Sequence, residues 1–148
     1  MPDVKLSLRS KGAGRAALDL TRVGDRGGDV RPAKDAVRPL FQADEKQRFD
    51  RQGPRWPPLA ERTRELKAQA GLDPRVLRSS GKLYDSLITA EGETPRPTQI
   101  VFGTEVWYSK FHQAGTKRMP RRKVIQLSKR TRDEMVEVLT HYVSQGRR

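Results

Sequence analysis

The stretch "YSKFHQAGTKRMPRRKVIQLSKR", residues 108–130, predicts a short helix, a loop and a strand in succession. Gly115 closes the helix, because glycine adopts the left-handed backbone of a helix end without strain. Pro120 lacks the backbone N–H that a helix needs and keeps the following residues out of helical geometry. The loop therefore occupies residues 116–123, and "VIQL", residues 124–127, is the expected strand.

The same stretch contains eight lysines and arginines and no acidic residue. A solvated surface normally mixes charges of both signs, so a one-sign run indicates a loop held toward negative charge. The alternative interpretation is a plain solvated face. On the first interpretation, five side chains project together toward a polyanion or an acidic partner: Lys117, Arg118, Arg121, Arg122 and Lys123.

The composition of the whole chain narrows the classes of partner. At 148 residues the chain is expected to form one domain, residues 1–148. Its net charge of +13 indicates nucleic acid, an anionic membrane or an acidic protein surface as partner. The absence of cysteine excludes disulfides and thiolate catalysis. We expect no membrane contact and assembly in the cytoplasm, because neither a membrane span nor a signal-peptide core is visible.

Outward from the basic stretch, the patterns predict an α+β domain with several helices packed on a small antiparallel sheet. The paired strands are expected at "LITAEGE", residues 87–93, and "TQIVFGT", residues 98–104. Residues 131–145 predict an amphipathic C-terminal helix, with Thr131 and Glu134 as a capping box.

The N-terminal third of the chain is less regular. Residues 1–30 are interpreted as a strand at "VKLSLR", a short helical patch at residues 15–23 and a glycine-rich turn. A longer helix is expected from Asp29, with a kink or restart at Pro39. A second helix is predicted over residues 59–71, with Leu59, Thr63, Leu66 and Ala70 on its buried face.

Motifs that resemble catalytic or cofactor sites lack residues that such sites require at fixed positions. "GAGRAA", residues 12–17, imitates a dinucleotide-binding turn but lacks the second parallel strand. "SSGKL", residues 79–83, lacks the first glycine and the hydroxyl residue of a phosphate loop. His112 and His141 do not form a helical metal-binding pair. We therefore expect no cofactor, metal or catalytic residue, and an enzyme such as a nuclease is the least favoured hypothesis.

Trp56 lies in a proline-rich break, "GPRWPPLAERT", residues 53–63. A loop tryptophan can cover the sheet or the end of a helix. It can also anchor a protein interface, where tryptophan is enriched. The two interpretations are compatible, and both stay open at this point.

Three stretches in order carry a family resemblance: "GPRWPPLAERTRELK", "VLRSSGKLYDSL" and "FGTEVWYSKFHQAGTKRMPRRKVIQLS". Through them the chain resembles the tailed-phage virion morphogenesis (tail completion) family, as in Mu-like and related phages. The matching positions are Gly53, Trp56, Leu59, Thr63, Lys67, Leu77, Gly81, Leu83, Ser86, Gly103, Thr104, Tyr108, His112, Gln113, Gly115, Met119, Pro120 and Arg122. The chain departs from the family at Ser109, Lys123 and Gln126, where the family favours Ala, Pro and Gly.

The resemblance implies a non-enzymatic structural protein of the virion, which completes the tail and helps join it to the head. Its implied partners are further copies in a hexameric ring at the neck or tail end, neighbouring neck and tail-tube or tail-terminator proteins, and genomic duplex DNA in the channel. Protein contacts are expected at Trp56, Tyr108, His112 and Met119. The alternative function is a nucleic-acid-binding module without sequence preference.

Overall fold

The computed structural model describes residues 3–11, 15–23, 31–53, 55–89, 94–96 and 99–145. This part of the chain is mostly helical and also contains four strands. The elements are β1 (Asp3–Lys11), β2 (Arg15–Val23), α1 (Lys34–Asp50), α2 (Glu61–Gln69), α3 (Lys82–Ile88), β3 (Thr94–Arg96), β4 (Gln99–Gly103), α4 (Ser109–Ala114) and α5 (Lys129–Gln145). A single 3-10 turn, Arg31–Ala33, precedes α1.

The four strands pair in the order β1-β2-β4-β3, and each neighbouring pair is antiparallel. β2 pairs with β1 along its whole length and with β4 from Ala17 to Thr21. The helical patch predicted for residues 15–23 is therefore wrong. Leu18 and Leu20 alternate with polar residues, which suits a strand, and they stand opposite Phe102 and Ile100 in the register.

The strands predicted at residues 87–93 and 124–127 are also wrong. Leu87 and Ile88 end α3 instead of beginning a strand, and residues 90–93 lie outside the described residues. β4 instead pairs with β3, which lies between the two predicted strands. Residues 124–127 form irregular chain, because the Gln113 side chain bonds both the N–H and the carbonyl of Ile125, at 3.0 Å each.

The core lies where α1 packs against the sheet, α3 and α5. Phe41 of α1 stacks on Phe102 of β4 with 4.7 Å between ring centroids. Phe49, at the other end of the helix, makes an edge contact with Tyr84. α1 continues through Pro39 as one helix, so the restart expected there does not occur. Close packing on both sides keeps the helix intact despite the missing hydrogen bond.

α2 buries a different face from the one expected. Leu66 is 49% exposed, whereas the neighbouring Lys67 is buried. The Lys67 ammonium donates to the carbonyl oxygens of Asp73 at 3.0 Å and Arg75 at 2.7 Å. Burial lowers the pKa of Lys67, although the charge of Asp73 opposes this effect. The lysine therefore fastens the loop that follows α2.

The start of α5 is held by a carboxylate from α1. The helix begins at Lys129, and Ser128 caps it by accepting a hydrogen bond from the Thr131 N–H at 3.2 Å. The predicted capping box at Thr131 and Glu134 lies too far into the helix to cap it. The Thr131 hydroxyl instead donates to Asp44 at 2.8 Å, and Ser128 donates to the same carboxylate through its N–H and its hydroxyl.

Asp44 belongs to a buried charge cluster within α1. Arg48 donates to Asp44 at 2.8 Å and also pairs with Glu45. The cluster thus contains two carboxylates and one guanidinium, and the second carboxylate oxygen of Glu45 has no hydrogen-bond partner within the described part of the chain. Burial raises the pKa of Glu45 to about 7, against the opposing effect of Arg48.

Candidate functional site

A cleft of about 460 Å³ lies between α2, the loop that leads into α3, and the chain from α4 to Arg122. We call it the basic cleft. Its walls come from residues 59–67, 77–83 and 108–122. The three stretches that carry the family resemblance therefore converge on one concave surface.

The lining of the basic cleft combines apolar and cationic groups. The apolar side chains are Leu59, Leu77, Leu83, Tyr108, Met119 and Pro120. The cations are Lys67, Arg118 and Arg122, with hydroxyls from Thr63, Ser79 and Ser80. No aspartate or glutamate is among the described residues that line it. Such a surface suits a ligand that carries both negative charge and apolar groups.

Arg122 does not project toward a polyanion as predicted. Its side chain is buried, and its guanidinium donates to the carbonyl oxygens of Pro57 at 2.8 Å and Pro58 at 2.9 Å. Its backbone N–H donates to the His112 carbonyl at 2.8 Å. Burial lowers the pKa of Arg122. This arginine therefore ties the basic loop to the loop before α2.

The other four cations of the loop are more accessible. Lys117, Arg118 and Arg121 are exposed, and Lys123 is half-buried. Arg121 donates through Nε to the Gln113 carbonyl at 3.1 Å. None of the four makes an ion pair with a carboxylate in the described ranges. Their contact with a polyanion or an acidic partner stays a prediction.

Trp56 is buried inside the chain, as expected if it covers the end of a helix, and its role as an interface anchor stays a prediction. Its indole N–H donates to the Lys123 carbonyl at 3.1 Å, and its ring contacts Phe49 edge-on at 5.2 Å. The ring lies so close to Gly53 that a Cβ there would sit 2.2 Å from it. Gly53 also has a φ of +80°, which favours glycine. The indole thus covers the end of α1 and holds the basic loop.

The other three predicted interface residues, Tyr108, His112 and Met119, all line the basic cleft and are half-buried. The Nδ1 atom of His112 is buried and has no hydrogen-bond partner among the described residues. Burial lowers the pKa of His112, and the charge of Arg122 lowers it further. His112 is therefore held neutral, with one polar ring atom unsatisfied.

Trp107, which the sequence patterns did not single out, forms an exposed patch with Phe111 beside the cleft. Trp107 is 66% exposed and Phe111 is 37% exposed. Their rings meet edge-on, with centroids 5.9 Å apart. We call this pair the aromatic rim. Tyr108 and His112 face the cleft from the same short helical segment, and the four-residue spacing of both pairs was the available signal.

Within the described ranges, no group of three or more histidine, aspartate and glutamate side chains is placed to hold a metal ion. In the same ranges, no helix has the length and apolar character needed to cross a membrane.

The described part of the chain thus combines a cationic, partly apolar cleft with exposed aromatic rings. The model of the phage virion morphogenesis family matches residues 15–144, and the chain belongs to that family. The resemblance to a phage virion morphogenesis family is thereby confirmed, and the family indicates a role in building phage virions. No curated protein and no solved structure gives a significant match.

Proposed function

We propose that the chain is a structural virion protein that completes the tail of a phage and helps join it to the head. It acts without catalysis, as one subunit of a ring at the neck or tail end. Six copies are proposed from the symmetry that the family resemblance implies. The observation that carries the proposal is the family match over residues 15–144.

The aromatic rim supports a role in assembly. Exposed tryptophan is uncommon on a surface that meets only water, and tryptophan is the residue type most enriched at interface hot spots. Trp107 is 66% exposed and makes its ring contacts only with Tyr108 and Phe111 among the described residues. We assign the rim to contact with a neighbouring copy or with a neck or tail-tube protein.

Replacing Trp107 with alanine is expected to leave folding intact and to impair head–tail joining. A hot-spot tryptophan contributes about 2 kcal/mol or more to an interface, which corresponds to a loss of roughly 30-fold in affinity. The measurement is the yield of joined particles by electron microscopy when the variant complements a deletion phage, with thermal unfolding as the check on folding.

Leu72→Ala is the matched control for Trp107→Ala. Leu72 is also a large exposed apolar side chain, at 42%, but it lies on the turn after α2. It is expected to give the wild-type yield of joined particles. A normal yield from the Trp107 variant would remove the rim from the proposed interface.

Nucleic-acid binding without sequence preference is the second candidate function. It is favoured by three exposed cations of the loop, Lys117, Arg118 and Arg121. None of them makes an ion pair with a carboxylate among the described residues. In a ring, these loops would form a positive collar around genomic duplex DNA. An acidic surface on a neighbouring ring protein is the other partner that this charge would suit.

Replacing Lys117, Arg118, Arg121 and Lys123 with glutamine tests this function. Arg122 stays unchanged, because it holds the fold. If the four side chains contact phosphates, log K for a DNA duplex should fall with log salt at a slope of about −3.6 in the wild type, and at a slope near zero in the variant. Fluorescence anisotropy of a labelled duplex at several salt concentrations measures both slopes.

The control variant removes the same charge elsewhere. Arg51, Arg55, Arg62 and Arg64 are exposed arginines outside the basic loop, and they are replaced together with glutamine. Equal loss of DNA binding in the two variants would show that net charge matters and that the loop has no special role. Salt-dependent binding by the isolated wild-type chain is the result that favours a nucleic-acid-binding module.

A further inference from the structure

We propose that the basic cleft binds an extended segment of a different virion protein, and that this segment carries a carboxylate beside an apolar side chain. The inference rests on the proposed role in joining virion proteins and names the chemistry of one partner. The exposed loop cations are not required for it, except Arg118, which also lines the cleft.

The first argument is the uncompensated charge inside the cleft. Lys67 and Arg122 are both only 6% exposed, and the hydrogen bonds that they make in the described chain go to backbone carbonyls. Asp73, whose charge acts on Lys67, already pairs with Arg75 at 2.6 Å. Buried cations without a counter-charge are costly, so a carboxylate from outside would be stabilised here.

The second argument is the unsatisfied ring nitrogen of His112. A buried polar atom without a partner costs free energy that a ligand can recover. In the tautomer with its proton on Nδ1, neutral His112 would donate to a carboxylate oxygen brought to this atom. The hydroxyls of Thr63 and Ser80 lie on the same cleft and offer further donors. The polar groups of the cleft are therefore suited to an oxyanion.

The third argument is the shape and the apolar part of the lining. The volume of about 460 Å³ falls within the range of roughly 300–1,000 Å³ typical of pockets for small ligands. Leu59, Leu77 and Leu83 supply an apolar wall that a phosphate backbone does not use. A DNA duplex is a convex rod and does not enter a cleft of this size. A peptide segment with one acidic and one apolar side chain matches both parts of the lining.

The test is photo-crosslinking in assembled particles. The photoreactive residue p-benzoylphenylalanine replaces Ser79, which is exposed and lines the cleft, and in a control it replaces Glu137, which is exposed on α5. After irradiation of purified virions, mass spectrometry identifies the crosslinked peptides. We expect position 79, and not position 137, to crosslink to a different virion protein at a segment with an aspartate or glutamate next to an apolar residue.

A charge reversal shows whether the carboxylate matters. Arg118→Glu changes an exposed side chain whose own hydrogen bonds do not support the fold, and it should lower the crosslinking yield from position 79 at least tenfold. Arg118→Lys should retain the yield. Replacing the acidic residue of the crosslinked segment with lysine should restore crosslinking to the Arg118→Glu variant. An unchanged yield in that variant would overturn the proposal.

The outcomes distinguish failure of the proposed function from failure of the proposed ligand. Absence of the chain from purified particles, judged by immunoblotting, would overturn both the proposed function and the proposed ligand. A chain present in particles whose position 79 crosslinks to DNA, to another copy of itself, to a segment without a carboxylate, or to nothing would overturn the ligand alone.

Discussion

Replacing Asp44 with alanine is expected to lower the free energy of unfolding by about 3–5 kcal/mol, the range for breaking one side of a buried ion pair. The carboxylate is 7% exposed and accepts hydrogen bonds from Arg48, Ser128 and Thr131. Its removal eliminates the hydrogen bonds that join the start of α5 to α1. Urea denaturation followed by circular dichroism measures the change.

Asp133→Ala is the control for Asp44→Ala. Asp133 also accepts from a cation four residues away, Lys129 at 2.9 Å, but both side chains are largely exposed. Solvent screens such a pair, so its loss is expected to change stability very little. Similar unfolding curves for the two variants would contradict the assigned role of the buried carboxylate.

The contribution of Glu45 to the stability of the wild-type protein is expected to fall as the pH rises from about 5 to about 8. Burial raises the pKa of Glu45 from 4.5 to about 7, so between these values the folded state holds a proton that the unfolded state releases. The contribution of this group to the free energy of unfolding is therefore highest below the ordinary pKa, and it declines until the folded-state pKa is passed. The total decline is roughly 1–3 kcal/mol.

Glu45→Gln is expected to remove most of this decline, because glutamine has the shape and neutrality of the protonated side chain. The variant should be more stable than the wild type near pH 8 and similar near pH 5. The measurement is the urea midpoint across this pH range, with Glu137→Gln on the exposed surface of α5 as the matched control. A pH profile for Glu45→Gln that follows the wild type would place the titration elsewhere.

Elements encoded by short-range patterns were predictable from the sequence. α4 ends before Gly115, whose positive φ of +76° is a backbone angle that glycine adopts without strain. Met135 and Leu139 are buried in α5, as expected of the amphipathic helix predicted over residues 131–145. The strand expected at residues 98–104 contains β4. In each case the information lies within about ten residues, which is the range that periodicity reports.

β2 was missed because its conformation depends on distant residues. "RAALDLTRV" begins with helix-favouring alanines, while its alternation of Leu18 and Leu20 with polar residues suits a strand. Its partner β4 lies about eighty residues further along the chain, and Leu18 pairs with Phe102. Pairing of this kind decides between two local preferences of similar strength.

The candidate site was predictable in its residues but not in its geometry. The matching positions of three stretches identified most of the lining, yet nothing local shows that they converge. Arg122 is buried where projection was expected, and Trp56 covers the end of α1, which is one of its two open interpretations; each of the two residues bonds to the other's segment. In a basic run, the sequence does not distinguish an arginine that will be buried from one that will be exposed. Only the tertiary contacts of the folded chain do so.

The links that close the fold also set an order for its folding. Trp56 and Lys123 are 67 residues apart in sequence, and Asp44 and Thr131 are 87 residues apart. Contacts of such separation form late, because a long loop must close before they provide any stabilisation. During synthesis from the N-terminus, α1 and its charge cluster therefore remain exposed to water until residues 122–131 have been synthesised. Throughout that interval the nascent chain depends on its own charge to stay apart from other chains.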